Sequence, residues 1–184
     1  FKNRQHVTDL EKKKATMKYW LNDWKESREH GTRTHNLIEQ YILDRDNRPN
    51  SLHDMAEGHE ERDYIKAVFG MDWYDSYMKK AGEPVQTPEY VVYNEELGVA
   101  GQIDLLVEKT KNTIDLIDWK TNKDVQKPCY DKCFAPIEDM NATTMLKYTL
   151  QLSLYAYMME LKGYNIGDLI LVHLTENGAI TYNI

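Results

Sequence analysis

Three residues with the right types and spacing for chemistry sit in two short apolar runs. These are Asp104 in Gly101-Gln102-Ile103-Asp104-Leu105-Leu106, and Asp118 with Lys120 in Ile117-Asp118-Trp119-Lys120-Thr121. A strand turns residues two apart to one face, whereas a helix would split them. Asp118 and Lys120 therefore make chemical sense together only on a strand. Two carboxylates and an ammonium gathered in this way can hold a divalent cation and a water against a phosphodiester. Hard carboxylate oxygens suit magnesium or manganese. The lysine can orient or deprotonate the attacking water and steady charge on the phosphate. The competing reading is an exposed Asp/Lys pair, which is worth little. Asp104 weighs against it, because Val99–Val107 holds no other charge and an unpaired carboxylate there is costly.

Other residues could complete such a site. His35 offers an imidazole that can join carboxylates on manganese or magnesium; the rival reading is a helix histidine hydrogen-bonded near the core. Gln151 and Tyr155 stand four apart on one helix, hence on one face. Their polar tips could reach a phosphate or base, or Tyr155 could simply fill the core. Glu89 could add a carboxylate to a second metal position. Thr121, Lys123 and Lys127 follow the Asp-x-Lys and could contact phosphates. His6, His30 and His59 lie among charges and read as surface. Cys129 and Cys133 are the only cysteines, too few for a structural zinc or iron–sulfur site, and read as free thiols. No phosphate-binding glycine loop, zinc-protease helix or serine elbow motif is present.

The elements that must position these residues can be read from periodicity. Thr8–Glu29 reads as a helix, with Met17, Trp20, Leu21 and Trp24 as its apolar positions and Gly31 as its break. Thr32 can cap a second helix carrying His35, Ile38, Glu39 and Ile42. Arg45–Ser51 reads as a loop, and a third helix spans roughly Asp54–Lys80, interrupted near Gly70. After Gly82–Pro88 the period becomes alternating. Strands are expected at Tyr90–Tyr93, Val99–Val107 and Ile114–Lys120, with Glu89 just before the first. In the second strand Ile103, Leu105 and Val107 share one face; Gln102, Asp104 and Leu106 share the other. Asn122–Thr144 is long for a bare loop and suggests a functional flap. Leu146–Leu161 is the strongest helix, ended by Gly163, and Leu169–Leu174 reads as a strand. Trp20, Trp24 and Trp73 could stack on bases, but core burial is their expected fate.

The chain has 184 residues and a formal charge of −7. One domain is expected, with a helical part over 1–82 and a sheet with its helix over 83–184. The acidic balance argues against a general nucleic-acid coat and asks for a locally basic groove instead. No apolar run long enough for a membrane span and no signal-peptide pattern appears. Two free cysteines suit a reducing cytosol, bacterial or of a virus-infected host.

In order along the chain, Gly31-Thr32-Arg33-Thr34-His35, Gly101-Gln102-Ile103-Asp104, Asp118-Trp119-Lys120-Thr121 and Gln151-Leu152-Ser153-Leu154-Tyr155 resemble the motifs of the PD-(D/E)XK nuclease superfamily, in its RecB-like exonuclease branch of phage and viral type. That resemblance implies a mixed α/β fold: a central mixed sheet flanked by helices, a restriction-endonuclease-like core with an N-terminal helical region. It implies that His35, Asp104, Asp118 and the Trp119 backbone carbonyl hold Mg2+ or Mn2+, with Glu89 at a less constant acidic position. It implies that Lys120 is catalytic and that Gln151 and Tyr155 support the site and contact DNA. The second acidic position here is Asp118 rather than the commoner Glu. With two cysteines instead of four, no iron–sulfur cluster is expected. The implied partner is DNA, single-stranded or at a duplex end, with no membrane. Two other readings are an RNA endonuclease of viral type and an inactive member that binds nucleic acid or protein.

Overall fold

The computed structural model describes residues 2–44 and 61–184, with side chains from 14 to 44 and from 63 onward. Two helices, α1 (Lys2–Leu43) and α2 (Glu61–Ala81), precede three strands, β1 (Val85–Asn94), β2 (Val99–Thr110) and β3 (Thr113–Lys120). Helix α3 (Thr144–Leu161) then leads to β4 (Asn165–Thr175) and β5 (Gly178–Asn183). The strands lie side by side in chain order. Neighbours are antiparallel except β3 and β4, which are parallel and joined through α3. A parallel pair needs such a crossover. The fold is thus mixed α/β, as expected.

Helices cover both faces of the sheet. Ile38 and Ile42 of α1 and Met71, Tyr74 and Met78 of α2 pack on Leu105, Val107, Ile117, Trp119 and Val172. On the other face, Leu152, Tyr155, Met158 and Met159 of α3 pack on Leu106, Ile114, Leu116 and Leu171. β3 is the middle strand and is buried from Ile114 to Trp119. That burial on both faces explains why Ile114, Leu116, Ile117 and Trp119 do not alternate with exposed polar residues.

Both helix-breaking expectations at glycine are corrected. α1 runs through Gly31 and α2 through Gly70. These glycines serve close approach instead. A Cβ on Gly31 would lie 3.0 Å from Thr121 Oγ1, and one on Gly70 would lie 2.5 Å from Ile38 Cδ1. Thr32 is accordingly inside α1, its hydroxyl donating to the Arg28 carbonyl at 3.1 Å. The Arg45–Ser51 loop, the start of the third helix and His59 lie outside the described residues, as does the side chain of His6.

Three further corrections concern the sheet. β1 starts at Val85, so Glu89 lies within it. Ile103 packs with the α3-side cluster rather than with Leu105 and Val107; the alternation breaks at Asp104, which is paired with neither β1 nor β3. The hairpin strand β5 has no counterpart in the sequence reading; its exposed and half-exposed positions give no clear alternation. Two tryptophans escape the expected burial: Trp20 is 52% and Trp24 66% exposed. Trp73 is half-buried, stacked on Tyr77, and donates its indole N–H to Thr181.

α3 is capped at both ends. The Thr143 hydroxyl accepts from Leu146 N–H at 3.1 Å. At the other end Gly163 adopts φ +91°, and Tyr164 N–H returns to the Met159 carbonyl.

Candidate active site

The pairing of β2 with β3 stops at Leu105–Ile117. Beyond that point the strands part, and their backbone groups need other partners. Asp104 supplies one: its Oδ2 accepts the Trp119 N–H at 2.7 Å. The gap so opened is where the chemistry-bearing side chains gather.

α1 delivers His35, whose Nδ1 lies 3.5 Å from Asp104 Oδ2. β1 delivers Glu89. Ligand atoms of His35, Glu89 and Asp104 all lie within 4.8 Å of one another, and the three residues are half-buried. Glu89 takes φ +50°, a conformation a non-glycine residue adopts at a cost of about 1–3 kcal/mol. Such strain within a strand marks a position where the surroundings dictate the backbone.

β3 delivers Asp118 and Lys120 to one side, as their spacing predicted. Asp118 is buried, and its Oδ2 sits 2.6 Å from Lys120 Nζ. That ion contact aside, the oxygen has no hydrogen-bond donor. The Lys120 ammonium also lies over the Tyr148 ring, 4.5 Å from its centroid. Tyr148 is held by its hydroxyl, which donates to Asn122 Oδ1 at 2.6 Å.

The electrostatics are those of crowded acids. Burial first, then Asp104 and Glu39, push the Glu89 carboxyl up to about 7. Burial and the Asp104 charge also raise Asp118, against the opposing pull of Lys120. Burial works against charge on His35, but Asp104 and Asp118 outweigh it and raise its pKa. Lys120 is raised likewise, the nearby Asp118 overcoming burial. A divalent cation is the natural answer to such a cluster: hard oxygens and an imidazole converge, and the buried Asp118 carboxylate, with Lys120 beside its Oδ2, lies near enough for its charge to act on His35 and Glu89. The donor set therefore fits magnesium or manganese.

Gln151 and Tyr155 meet each other on α3, and Tyr155 meets β2. Gln151 Nε2 donates to the Tyr155 hydroxyl at 3.0 Å. The Tyr155 ring lies against Gly101, where a Cβ would meet the hydroxyl at 2.5 Å. Gly101 is thus required for the close approach of α3 to β2. Thr121 and Lys123 continue from β3 past the site. The buried Lys66 of α2 fixes that exit by donating to the Thr121 carbonyl at 2.8 Å. Lys127 and both cysteines lie in the long irregular segment; Cys129 and Cys133 are free.

Several residues escaped the sequence reading. Glu39 lies four residues after His35 on α1, and its charge reaches Glu89; the helical spacing was the available signal. Tyr148 shares the α3 face of Gln151 and Tyr155 at spacings of three and four. His30, expected on the surface, is instead 16% exposed and 2.7 Å from the buried Asp63, which Arg33 also binds at 2.6 Å. His173 is buried with Nε2 2.6 Å from the Asn122 carbonyl, so both histidines hold structure.

The family model described as the PD-(D/E)XK nuclease superfamily matches residues 18–180. No curated protein and no solved structure matches the chain.

Proposed function

The chain belongs to the PD-(D/E)XK nuclease superfamily, and from that premise we propose that it is a Mg2+- or Mn2+-dependent deoxyribonuclease of the RecB-like exonuclease branch. It hydrolyses phosphodiester bonds at a DNA single strand or duplex end, in replication, recombination or repair, in a reducing cytosol. One observation carries the reading: donors from three separate elements, His35, Glu89 and Asp104, converge within 4.8 Å beside the Asp118/Lys120 pair. Among the described residues no helix is long and apolar enough to cross a membrane.

In this reading His35, Asp104 and Asp118 hold the cation, with Glu89 as a further carboxylate. The Trp119 carbonyl is also available, because a strand residue turns N–H and C=O to the same edge and the Trp119 N–H already faces Asp104. When bound, the cation polarises the phosphate and lowers the pKa of a coordinated water. Lys120 orients the attacking water and balances charge on the phosphate oxygens. Tyr148 and Asp118 fix its ammonium in place, so little reorganisation accompanies the reaction. Gln151 and Tyr155 wall the site from α3 and, with Thr121 and Lys123, contact the nucleic acid.

The test is a digestion series on end-labelled DNA and RNA with magnesium, manganese or chelator. DNA cleavage is expected with either metal, none with chelator, and none for Asp118→Ala or Lys120→Ala. Undiminished cleavage by either purified variant would refute the site. RNA cleavage in place of DNA cleavage would assign the RNA-endonuclease reading instead.

A further inference from the structure

Among the described residues α1 extends past the helices and strands it packs against, and one face of it can be followed from Met17 to Ile42. Met17, Trp20, Leu21, Trp24, Arg28, Gly31 and His35 follow one another at three- and four-residue steps. Toward the C-terminus that face carries His35 and buries Ile38 and Ile42. Toward the N-terminus it meets little among the described residues: Met17, Trp20, Leu21 and Trp24 are each at least half exposed and line an almost wholly apolar groove. Tyr19 beside them is 66% exposed. Between the apolar stretch and the candidate site lies a polar groove of about 380 Å³, lined by Ser27, Arg28, Gly31, Thr121, Asn122 and Lys123, with Asp23 also on its wall. The groove thus links α1 directly to the exit of β3.

We propose that this face is a track for single-stranded DNA, which stacks unpaired bases on Trp20 and Trp24, sets its phosphates against Arg28 and Lys123, and enters the metal site at His35. The proposal rests on the nuclease reading above and names the form of its substrate. Trp20 and Trp24 stand one turn apart, about 6 Å along the axis, and about 16 Å of helix separates Trp24 from His35. Aromatic platforms beside cations bind single strands with little regard to sequence, since every base has a flat face. A duplex keeps those faces inside its own stack and has none to offer Trp20 or Trp24. The stripe is continuous with the candidate site and the intervening cations match a phosphate backbone, which favours a strand over a second protein as its occupant.

The experiment is fluorescence anisotropy of labelled oligothymidylate and of a blunt duplex, in calcium without magnesium or manganese, for the full chain and for Trp20→Ala/Trp24→Ala. The double variant is expected to bind the oligothymidylate about tenfold more weakly or worse, with the preference over duplex collapsing. Trp20→Phe/Trp24→Phe should recover most of the affinity, because it keeps the flat rings. Equal oligothymidylate affinity in the alanine variant would overturn the track. So would a drop from dimer to monomer on sedimentation with that affinity intact, which would assign the stripe to a second copy of the chain. Hydrolysis of bis(p-nitrophenyl) phosphate in manganese by the unaltered chain tests the nuclease reading separately: its absence alongside Trp-dependent oligothymidylate binding would remove the chemistry and leave the track.

Discussion

β3 buries two aspartates three residues apart, Asp115 at 0% and Asp118 at 2% exposure, and their surroundings could hardly differ more. At Asp115 both oxygens have donors. Oδ1 accepts the Asp168 N–H at 2.7 Å, while Oδ2 takes the Tyr77 hydroxyl and the Lys109 ammonium, the latter at 2.8 Å. Lys109 in turn reaches Asp168 at 2.6 Å. At Asp118 the Oδ2 oxygen has the Lys120 ammonium at 2.6 Å and no second donor, and the negative charges of Asp104 and Glu89 lie close by. Burial of an acid is therefore no sign of function by itself. A carboxylate with donors on both oxygens holds the fold, whereas one that shares a single lysine with a crowd of other acids is held ready for something that binds.

The comparison makes opposite predictions for two similar substitutions. Asp118→Asn should lower metal-dependent DNA cleavage by about 10³-fold or more, since it removes a charge the cation and Lys120 both use. Its thermal midpoint in chelator should stay close to that of the parent, because the lost interaction with Lys120 is offset by relief from Asp104. A large loss of stability would place Asp118 in the same class as Asp115 and break the contrast.

Asp115→Asn should do the reverse. The amide offers one acceptor oxygen where the carboxylate has two, so its NH2 must face either the Asp168 N–H or the Tyr77 and Lys109 donors, and the variant should lose about 3 kcal/mol by denaturant unfolding. The folded fraction should cleave DNA at close to the parental kcat, as the Asp115 network lies at the opposite end of β3 from Lys120. A fall in kcat with unchanged stability would show that the two ends are coupled through the strand.

How much of this was legible beforehand follows from the same physics. Asp118 and Lys120 could be paired beforehand because strand periodicity fixes which way their side chains turn; Asp104 stood out as the lone charge in an apolar run, but the alternation breaks beside it at Ile103, so its direction did not follow from period. Asp115 was not singled out, since its partners Tyr77, Lys109 and Asp168 come from three elements far apart in sequence. His35 could be nominated but not placed, because only the packing of α1 in the folded chain brings it to Asp104. Gly31 and Gly70 were misread as breaks. Local propensity does disfavour glycine in a helix, but tertiary packing at Thr121 and Ile38 demands the absence of a Cβ. Trp20 and Trp24 were expected in the core on period alone. Periodicity reports which face is apolar, never whether anything covers it.

The smallest effect expected is on stability against pH, and it sharpens the contrast without any mutation. Glu89 and Asp118 have raised pKa values in the folded state, the first to about 7. The folded form therefore holds protons that the unfolded chain releases near the ordinary carboxylate range of about 4. Where the folded state binds more protons, stability falls as pH rises. The raised His35 adds to the same trend: its contribution is fully present below the unfolded value and is lost as pH climbs through the folded one. In chelator, the thermal midpoint should accordingly decline from about pH 4.5 to about pH 7. Manganese should flatten or reverse that decline, because it competes with protons for the same carboxylates and imidazole. In Asp115→Asn the slope in chelator should persist on a lower baseline, since the acids that generate it are untouched. In Glu89→Gln it should shrink. A midpoint that rises with pH in the unaltered chain without metal would mean that the acids around Asp104 are satisfied after all, and the two ends of β3 would then be alike.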